Sequence, residues 1–545
     1  MGTARIKLKK FHRGLYEEAK SEALTYPGFK SKSIEKYSLE YQASLPKTFK
    51  RSCLGSIIDD IKRSGMFIYG DFHTLKQSQK GFVRLLNSLT IHSKGQDLVI
   101  ALEMFKAVDQ PILDAYMNSE IDEATLLDRC NYYEDWSFPW DHYKCILEFA
   151  KSQRFRVVGV NTNHAGRDPL IKRDRFAANI LWKLREENPN SVVACLIGEF
   201  HLGDHSLLYE LSKKNGKDGE KTPVRIFTNV DQYYFKRQDP INNGTEYLAL
   251  KPKSYCLLNA PPWIKWQSYC LWEEMRNLPY QELEVDDDFF FTEEQFDIEF
   301  HIHQTLNHLA EFLQLEIDPR ELTRFQVETS PDQDIFNLLK SRHRLKKPAM
   351  NLAVSQLSSR GFYFETNTNT ILLADISLNN LAKVSGQFIH NIQRQYSLVP
   401  LEETDQFIYR CFNSAAGEIA AKILNPKIRS RDFQFFKDFV ENHRGKRMHG
   451  SAKQKRETFR EFLKFHKNCS HNSGLARLAY YCKKDRELDY RLSRCVGEFM
   501  GHSIYSSVMN HALPTSTFRR LFTMGSGKRG TLGSFIDLFQ DMVNL

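Results

Sequence analysis

Five short apolar runs, separated by amphipathic stretches, constrain this chain more than any other feature. They are MFIYG from Met66, DLVIALEMF from Asp97, RVVGV from Arg156, SVVACLIG from Ser191 and VRIFTNV from Val224. Each is β-branched or aromatic and nearly uninterrupted, as strands covered on both faces must be. Helix-like stretches lie between and after them, over residues 76–91, 110–130, 141–154, 169–187 and 205–215. This alternation predicts an α/β domain: a mostly parallel sheet with right-handed crossovers, flanked by helices.

Two of the runs end in the same words. GDFH covers Gly70 to His73, and GEFH covers Gly198 to His201. If the strands run out at the glycines, Asp71 and His73 sit at one carboxyl tip, and Glu199 and His201 at another. Glu103 and Asn161 end two further runs. Open α/β sheets bind ligands beyond these carboxyl ends. Residues two apart in extended backbone share a side, so each acid is expected beside its histidine. Gly70 and Gly198 would let the chain turn or a ligand approach the backbone.

Convergence of Asp71, Glu103 and Glu199 would be unfavourable by itself. Each pair at contact distance repels by about 4 kcal/mol at an effective dielectric near 20. A divalent cation, a nearby arginine or a shared proton would each offset that. Asp71, His73, Glu103, Glu199 and His201 are therefore candidate metal ligands. A carboxylate orienting an imidazole also suits general base catalysis, which makes His73, His201, Glu103 and Glu199 candidate catalytic residues. Arg167, Arg173 and Arg175 supply cations near the next helix, and Arg173 joins Gly70, Asp71, Asn161 and Gly198 as a pocket candidate.

At 545 residues the chain exceeds one ordinary core. Residues 1–50 read as a polar, partly helical extension, and 51–236 as the α/β domain. A Pro-containing aromatic linker covers 237–290, and a mainly helical domain covers 291–545, with a hairpin near 361–375. Thr292 and Gln295 are spaced as a capping box at the start of that domain. No run of about 18 apolar residues is present, so no membrane span is expected. Ten cysteines without a Cys-x-x-Cys pair, and no apolar segment after the basic start, predict reduced thiols and a cytoplasmic setting. The net charge of +9 is modest, and basic runs such as HRGKRMHGSAKQKR from His443 read as solvated loops. No nucleic-acid motif accompanies them. The phosphate-loop-like GSGKRGT lacks its first glycine, and HKNCSH has no second ligand pair at finger spacing. His301, His303 and His308 fit amphipathic packing.

The strings YGDFHTLKQSQ, VIALEMFKAVDQPILDAYM, WDHYKCILEFAKSQRFRVVGVN, RDRFAANI and IGEFHLGDH resemble the ChaN family of haem-binding proteins, within the TIKI/TraB/erythromycin-esterase superfamily. The resemblance spans about residues 60–215. It implies haem or iron binding, a tyrosine as iron ligand and a possible homodimer. Tyr132, Tyr133 and Tyr143 all lie in the matching region. Relatives of the TIKI kind imply a divalent-metal protease, and those of the esterase kind a metal-free hydrolase. Asp71 stands where the family usually has glutamate. Trp136 and Trp140 would suit a flat porphyrin. The expected function is haem or iron binding at the strand tips; the alternatives are a hydrolase or a non-catalytic scaffold.

Overall fold

The structure is a computed structural model that describes residues 3–26, 32–92, 97–162, 169–215, 222–236, 245–276, 298–328, 347–393, 403–429, 431–445, 447–448, 450–469 and 486–523. Arg167, Thr292, Gln295, His471 and the GSGKRGT segment lie outside them. The chain divides into two compact units: Gly14–Leu278, and Met1–Arg13 together with Pro279–Leu545.

The first unit is built on an eight-stranded sheet. Its strands are β1 (Lys50–Ser52), β2 (Met66–Asp71), β3 (Leu98–Lys106), β4 (Arg156–Asn161), β5 (Val192–Gly198), β6 (Val224–Thr228), β7 (Glu246–Lys251) and β8 (Ser254–Leu258). They are ordered β1-β7-β8-β6-β2-β5-β3-β4. Strands β8 through β4 are mutually parallel; β7 and β1 join antiparallel. All five apolar runs are strands, and their near-continuous burial has the expected cause. Phe67, Tyr69, Ile100 and Leu196 pack with Ile57, Phe82 and Leu147 from helices on one face. Ile68, Val99, Ala101 and Val193 pack with Ala177, Leu181 and Leu211 from helices on the other.

Two assignments from sequence change. The stretch read as a linker, 237–290, supplies β7, β8 and the helix Pro262–Arg276, all within the α/β unit. Its prolines mark the turn into that helix, with Pro262 at the first position, where a missing N–H is harmless. Residues 1–50, expected to be partly helical, carry the helices Thr3–Ala23 and Lys32–Ser44, and β1 starts at Lys50. The stretch 110–130 is two helices, Gln110–Met117 and Glu123–Arg129, the second capped by Asp122.

The second unit is mainly helical, with Leu378–Gln393, Glu403–Leu424 and Arg486–Met509 at its centre. Glycines set their close approach. A side chain on Gly386 would strike Ala420 and the Ala416 carbonyl, and one on Gly501 would strike the Ala415 carbonyl. The expected hairpin is β10 (Phe362–Glu365) with β11 (Thr370–Leu373), joined in parallel by β9 (Gln326–Glu328). No helix among the described residues is long and apolar enough to cross a membrane.

One irregularity in the large sheet bears on the site. The β3–β4 register runs to Leu102↔Gly159 and resumes at Lys106↔Asn161, so β3 carries a bulge over the intervening residues. The bulge packs its Phe105 and Lys106 carbonyls where a side chain on Gly159 would be, at 2.8 and 2.7 Å from a Cβ there. Backbone cannot yield cheaply, so Gly159→Val should cost about 1–3 kcal/mol or more of stability, as overpacking does. Chemical denaturation of the variant measures it; unchanged stability would mean the bulge can relax.

Candidate functional site

The repeated box has a simple structural origin. Strands β2 and β5 are neighbours, and Asp71 lies opposite Gly198 in their register. Gly70 permits the approach, since a Cβ there would sit 3.2 Å from Leu202 and 3.3 Å from Glu199 Cα. The two boxes therefore stand side by side at the carboxyl edge. Beyond that point they diverge.

In the first box the acid does hold its histidine. Asp71 Oδ2 pairs with His73 Nδ1 at 2.9 Å and accepts the Tyr143 hydroxyl at 2.8 Å; Oδ1 accepts from Gln79 Nε2 at 2.7 Å. With Nδ1 engaged by a carboxylate, neutral His73 carries its proton there and leaves a lone pair on Nε2. Nε2 has no hydrogen-bond partner among the described residues, and the side chain is 22% exposed. Trp136 and Phe138 flank the ring at 4.6 and 4.7 Å between centroids. Burial works against protonation of His73, but Asp71 outweighs it and the pKa is raised above 6.5.

The second box breaks the expectation that acid and histidine share a side. Glu199–Leu202 is a 3-10 turn, not extended backbone, so the two side chains separate. Glu199 takes the Lys265 ammonium at 2.9 and 3.0 Å, from the helix Pro262–Arg276. Burial raises the Glu199 pKa and Lys265 offsets that only in part; burial opposes the Lys265 charge too, and Glu199 more than restores it. His201 turns elsewhere. Its Nδ1 meets Asp174 at 2.5 Å and its Nε2 meets Glu103 at 3.3 Å. Burial disfavours the imidazolium, yet Asp174 and Glu103 hold it protonated to about pH 10.

Glu103 lies just past the last β3–β5 pair, Leu102↔Leu196, at the start of the bulge. Its Oε2 accepts the Gly198 N–H at 2.6 Å. Against the cost of burial, His201, His73 and that N–H keep its carboxyl ionised down to about pH 2. Gly198 is the junction: a Cβ there would sit 3.2 Å from His73 Nε2 and 3.5 Å from Glu103 Oε2. The repulsion anticipated between carboxylates is thus relieved by one basic side chain for each: His73 for Asp71, His201 for Glu103, Lys265 for Glu199.

Metal binding finds no support here. No group of three or more His, Cys, Asp or Glu able to hold an ion occurs among the described residues. Both nitrogens of His201 are already committed to carboxylates. Asn161 stays local, accepting from the Thr162 N–H. Arg173 is near the start of its helix with Nε buried and without a hydrogen-bond partner, and Arg175 pairs with Glu210. Sequence reasoning missed Asp174, Lys265 and Tyr143 as partners. Asp174 was nonetheless detectable, because it shares a helix face with Ala177, Ala178 and Leu181.

A shallow cleft with essentially no enclosed space lies at this edge, with Asp71, His73, Glu103 and Tyr143 as its polar side and Leu102, Met104, Trp136, Leu196 and Ile197 as its walls. Of the tyrosines in the region, Tyr143 is buried on Asp71, Tyr132 is buried with its hydroxyl unpartnered, and Tyr133 is half exposed.

Residues 57–168 match the family described as haem-binding uptake, Tiki superfamily, ChaN. That span holds Asp71, His73, Glu103 and the aromatic walls, so this part of the α/β unit is ChaN-like. A solved structure titled "Cofacial heme binding to ChaN of Campylobacter jejuni" is similar at 16% identity, over 38% of this chain and 92% of that one, with a TM-score of 0.26. No curated protein matches.

The ion pairs set a pH window. His201 has a folded pKa above its ordinary 6.5, so its contribution is full below about pH 6.5 and is lost as pH rises towards 10. Glu103 has a folded pKa below its ordinary 4.5, so its contribution is present above that value and is lost as pH falls towards 2. His201→Gln leaves two buried carboxylates short of a cation and should cost about 3–5 kcal/mol near neutrality. The variant should also lose less stability than the parent between pH 6.5 and 10, measured by denaturant titration at stepped pH. Equal alkaline slopes in both proteins would contradict the assignment.

Proposed function

We propose that the α/β unit binds haem against the mouth of this cleft, with His73 Nε2 offered to the iron. The observation that carries the reading is that nitrogen: it has no partner, and Asp71, itself held by Tyr143 and Gln79, fixes the ring behind it. A metal-bound imidazole normally has its other nitrogen fixed by a carboxylate or carbonyl in this way. Trp136, Phe138 and Met104 offer an apolar and polarisable surface for a flat macrocycle. Enclosed ligand pockets run to about 300–1,000 Å³. This cleft encloses essentially no such space, so a porphyrin would lie at the mouth with one edge or face covered. The family description supports haem as the ligand class.

Among the tyrosines, Tyr133 is the exposed residue, but burial, Glu123 and Asp141 raise its pKa. That disfavours the phenolate a ferric iron takes, so His73 is the better donor. Bound haem would supply ligand exchange and electron transfer at iron. The chain's own part is to present one lone pair, hold Asp71 behind it and shield the site with Trp136.

Haemin titration of the whole chain should give a Soret band that saturates at micromolar haemin. His73→Ala should weaken binding at least tenfold and shift the band, while Tyr133→Phe should leave both nearly unchanged. The reverse pattern would move the iron to Tyr133, and no band at all would remove the haem reading.

The dyad also supports a second reading, a hydrolase in which His73 deprotonates water. His201 cannot serve as its base, being protonated throughout the neutral range, and Glu199 is committed to Lys265. Ester and peptide hydrolysis lost in His73→Ala and retained in Glu199→Gln would favour this reading. Turnover unchanged in His73→Ala would exclude it.

A further inference from the structure

The helical unit contains a charge arrangement that nothing in the α/β site explains. Glu498, buried on the helix Arg486–Met509, is approached by three guanidinium groups. Arg360 stands at 3.7 Å, Arg431 at 3.9 Å and Arg494 at 3.9 Å. Hydrogen-bonded guanidinium–carboxylate contacts are about 2.7–2.9 Å, so all three stand back by roughly 1 Å. The unit does make tight pairs elsewhere: Arg410 and Asp489 are in direct hydrogen-bonded contact. Arg494 Nε, in addition, is buried without a hydrogen-bond partner.

The balance of charge points the same way. Lys383 adds a fourth cation, facing Glu418 at 3.1 Å, and neither Glu418 oxygen is hydrogen-bonded. Burial and the charge of Arg494 press the Arg360 pKa down to about 10. Burial opposes the Glu498 charge, but Arg431, Arg494 and Arg360 hold its carboxyl at about 2. Two buried carboxylates, Glu498 and Glu418, thus face three guanidinium groups and Lys383, an excess of positive charge. Gathering excess positive charge out of water is costly unless an anion balances it.

The cations are also fixed in place before any ligand arrives. Arg360 lies over the Phe362 ring at 4.2 Å and Arg431 over Phe435 at 4.7 Å. Such stacking holds a guanidinium plane while leaving N–H groups free to donate.

We propose that Arg360, Arg431 and Arg494 form a binding site for a phosphate-type dianion, either inorganic phosphate or the end group of a phosphomonoester. Several guanidinium forks suit a tetrahedral oxyanion, which accepts from several donors at once. A compact anion is favoured over a polyanionic strand, because Arg360 is 13% exposed and Arg494 25% exposed. A nucleic-acid backbone needs cations strung along an open surface.

The test is isothermal titration of the full chain with inorganic phosphate and, separately, methyl phosphate, against chloride at matched ionic strength. Phosphate should bind saturably and at least tenfold tighter than chloride. Equal binding of methyl phosphate assigns the site to monoester end groups, and its exclusion assigns it to free phosphate. Arg494→Gln should weaken binding at least tenfold. Should that variant misfold, Arg431→Gln at the more exposed rim should do the same. Glu498→Gln removes the competing carboxylate and should tighten binding several-fold, an effect that a merely structural cluster would not produce. Phosphate binding no tighter than chloride in both the parent and Glu498→Gln would overturn the proposal. So would parental affinity in folded Arg494→Gln and Arg431→Gln.

Discussion

The carboxyl edge of the large sheet depends on how its buried carboxylates are neutralised. Asp71, Glu103, Asp174 and Glu199 are all withdrawn from water at or near one rim. The fold answers with three basic side chains drawn from different elements. His201 bridges Asp174 and Glu103, Lys265 takes Glu199, and His73 takes Asp71. The first two pairings are closed on every side. The third is open, because one nitrogen of His73 is left over.

That asymmetry grows out of backbone geometry. The two boxes begin one register step apart on adjacent strands, with Asp71 opposite Gly198, where Gly70 and Gly198 allow close approach. After Asp71 the chain passes through a turn into the helix Lys76–His92, which brings Gln79 back onto the same carboxylate. After Gly198 it tightens at once into a 3-10 turn, which sends Glu199 and His201 in different directions. One sequence motif therefore yields two electrostatic states. The β3 bulge, tolerated because β4 has Gly159 opposite, brings Glu103 to the Gly198 N–H and completes the wall between them.

Much of this was readable before any coordinates. Uninterrupted β-branched runs announced doubly covered strands, and the boxes announced the carboxyl edge where the buried charges gather. Glu103 was identified because its run ends where the others do. What escaped was partnership over long distances in the chain. Lys265 sits among tryptophans and prolines in a stretch whose composition suggests a connector, yet Trp263 is fully buried and β8 pairs with β6. A lone lysine in so apolar a segment was the available hint. Asp174 was passed over for the arginines on either side of it, although helical spacing puts it, and not them, on the face that meets the sheet. Equivalence of the two boxes was inferred from spelling alone. A 3-10 turn turns side chains two apart to different sides, and no local propensity revealed it.

His201 has both ring nitrogens on carboxylates and His73 only one. Nitrogen-15 NMR of the imidazole side chains across pH 5 to 10, in the unligated full chain, reads both at once. His73 should titrate above 6.5 and, when neutral, carry its proton on Nδ1, while His201 should remain an imidazolium until near pH 10. An ordinary titration of His201 near 6.5, or a neutral His73 protonated on Nε2, would contradict these pairings.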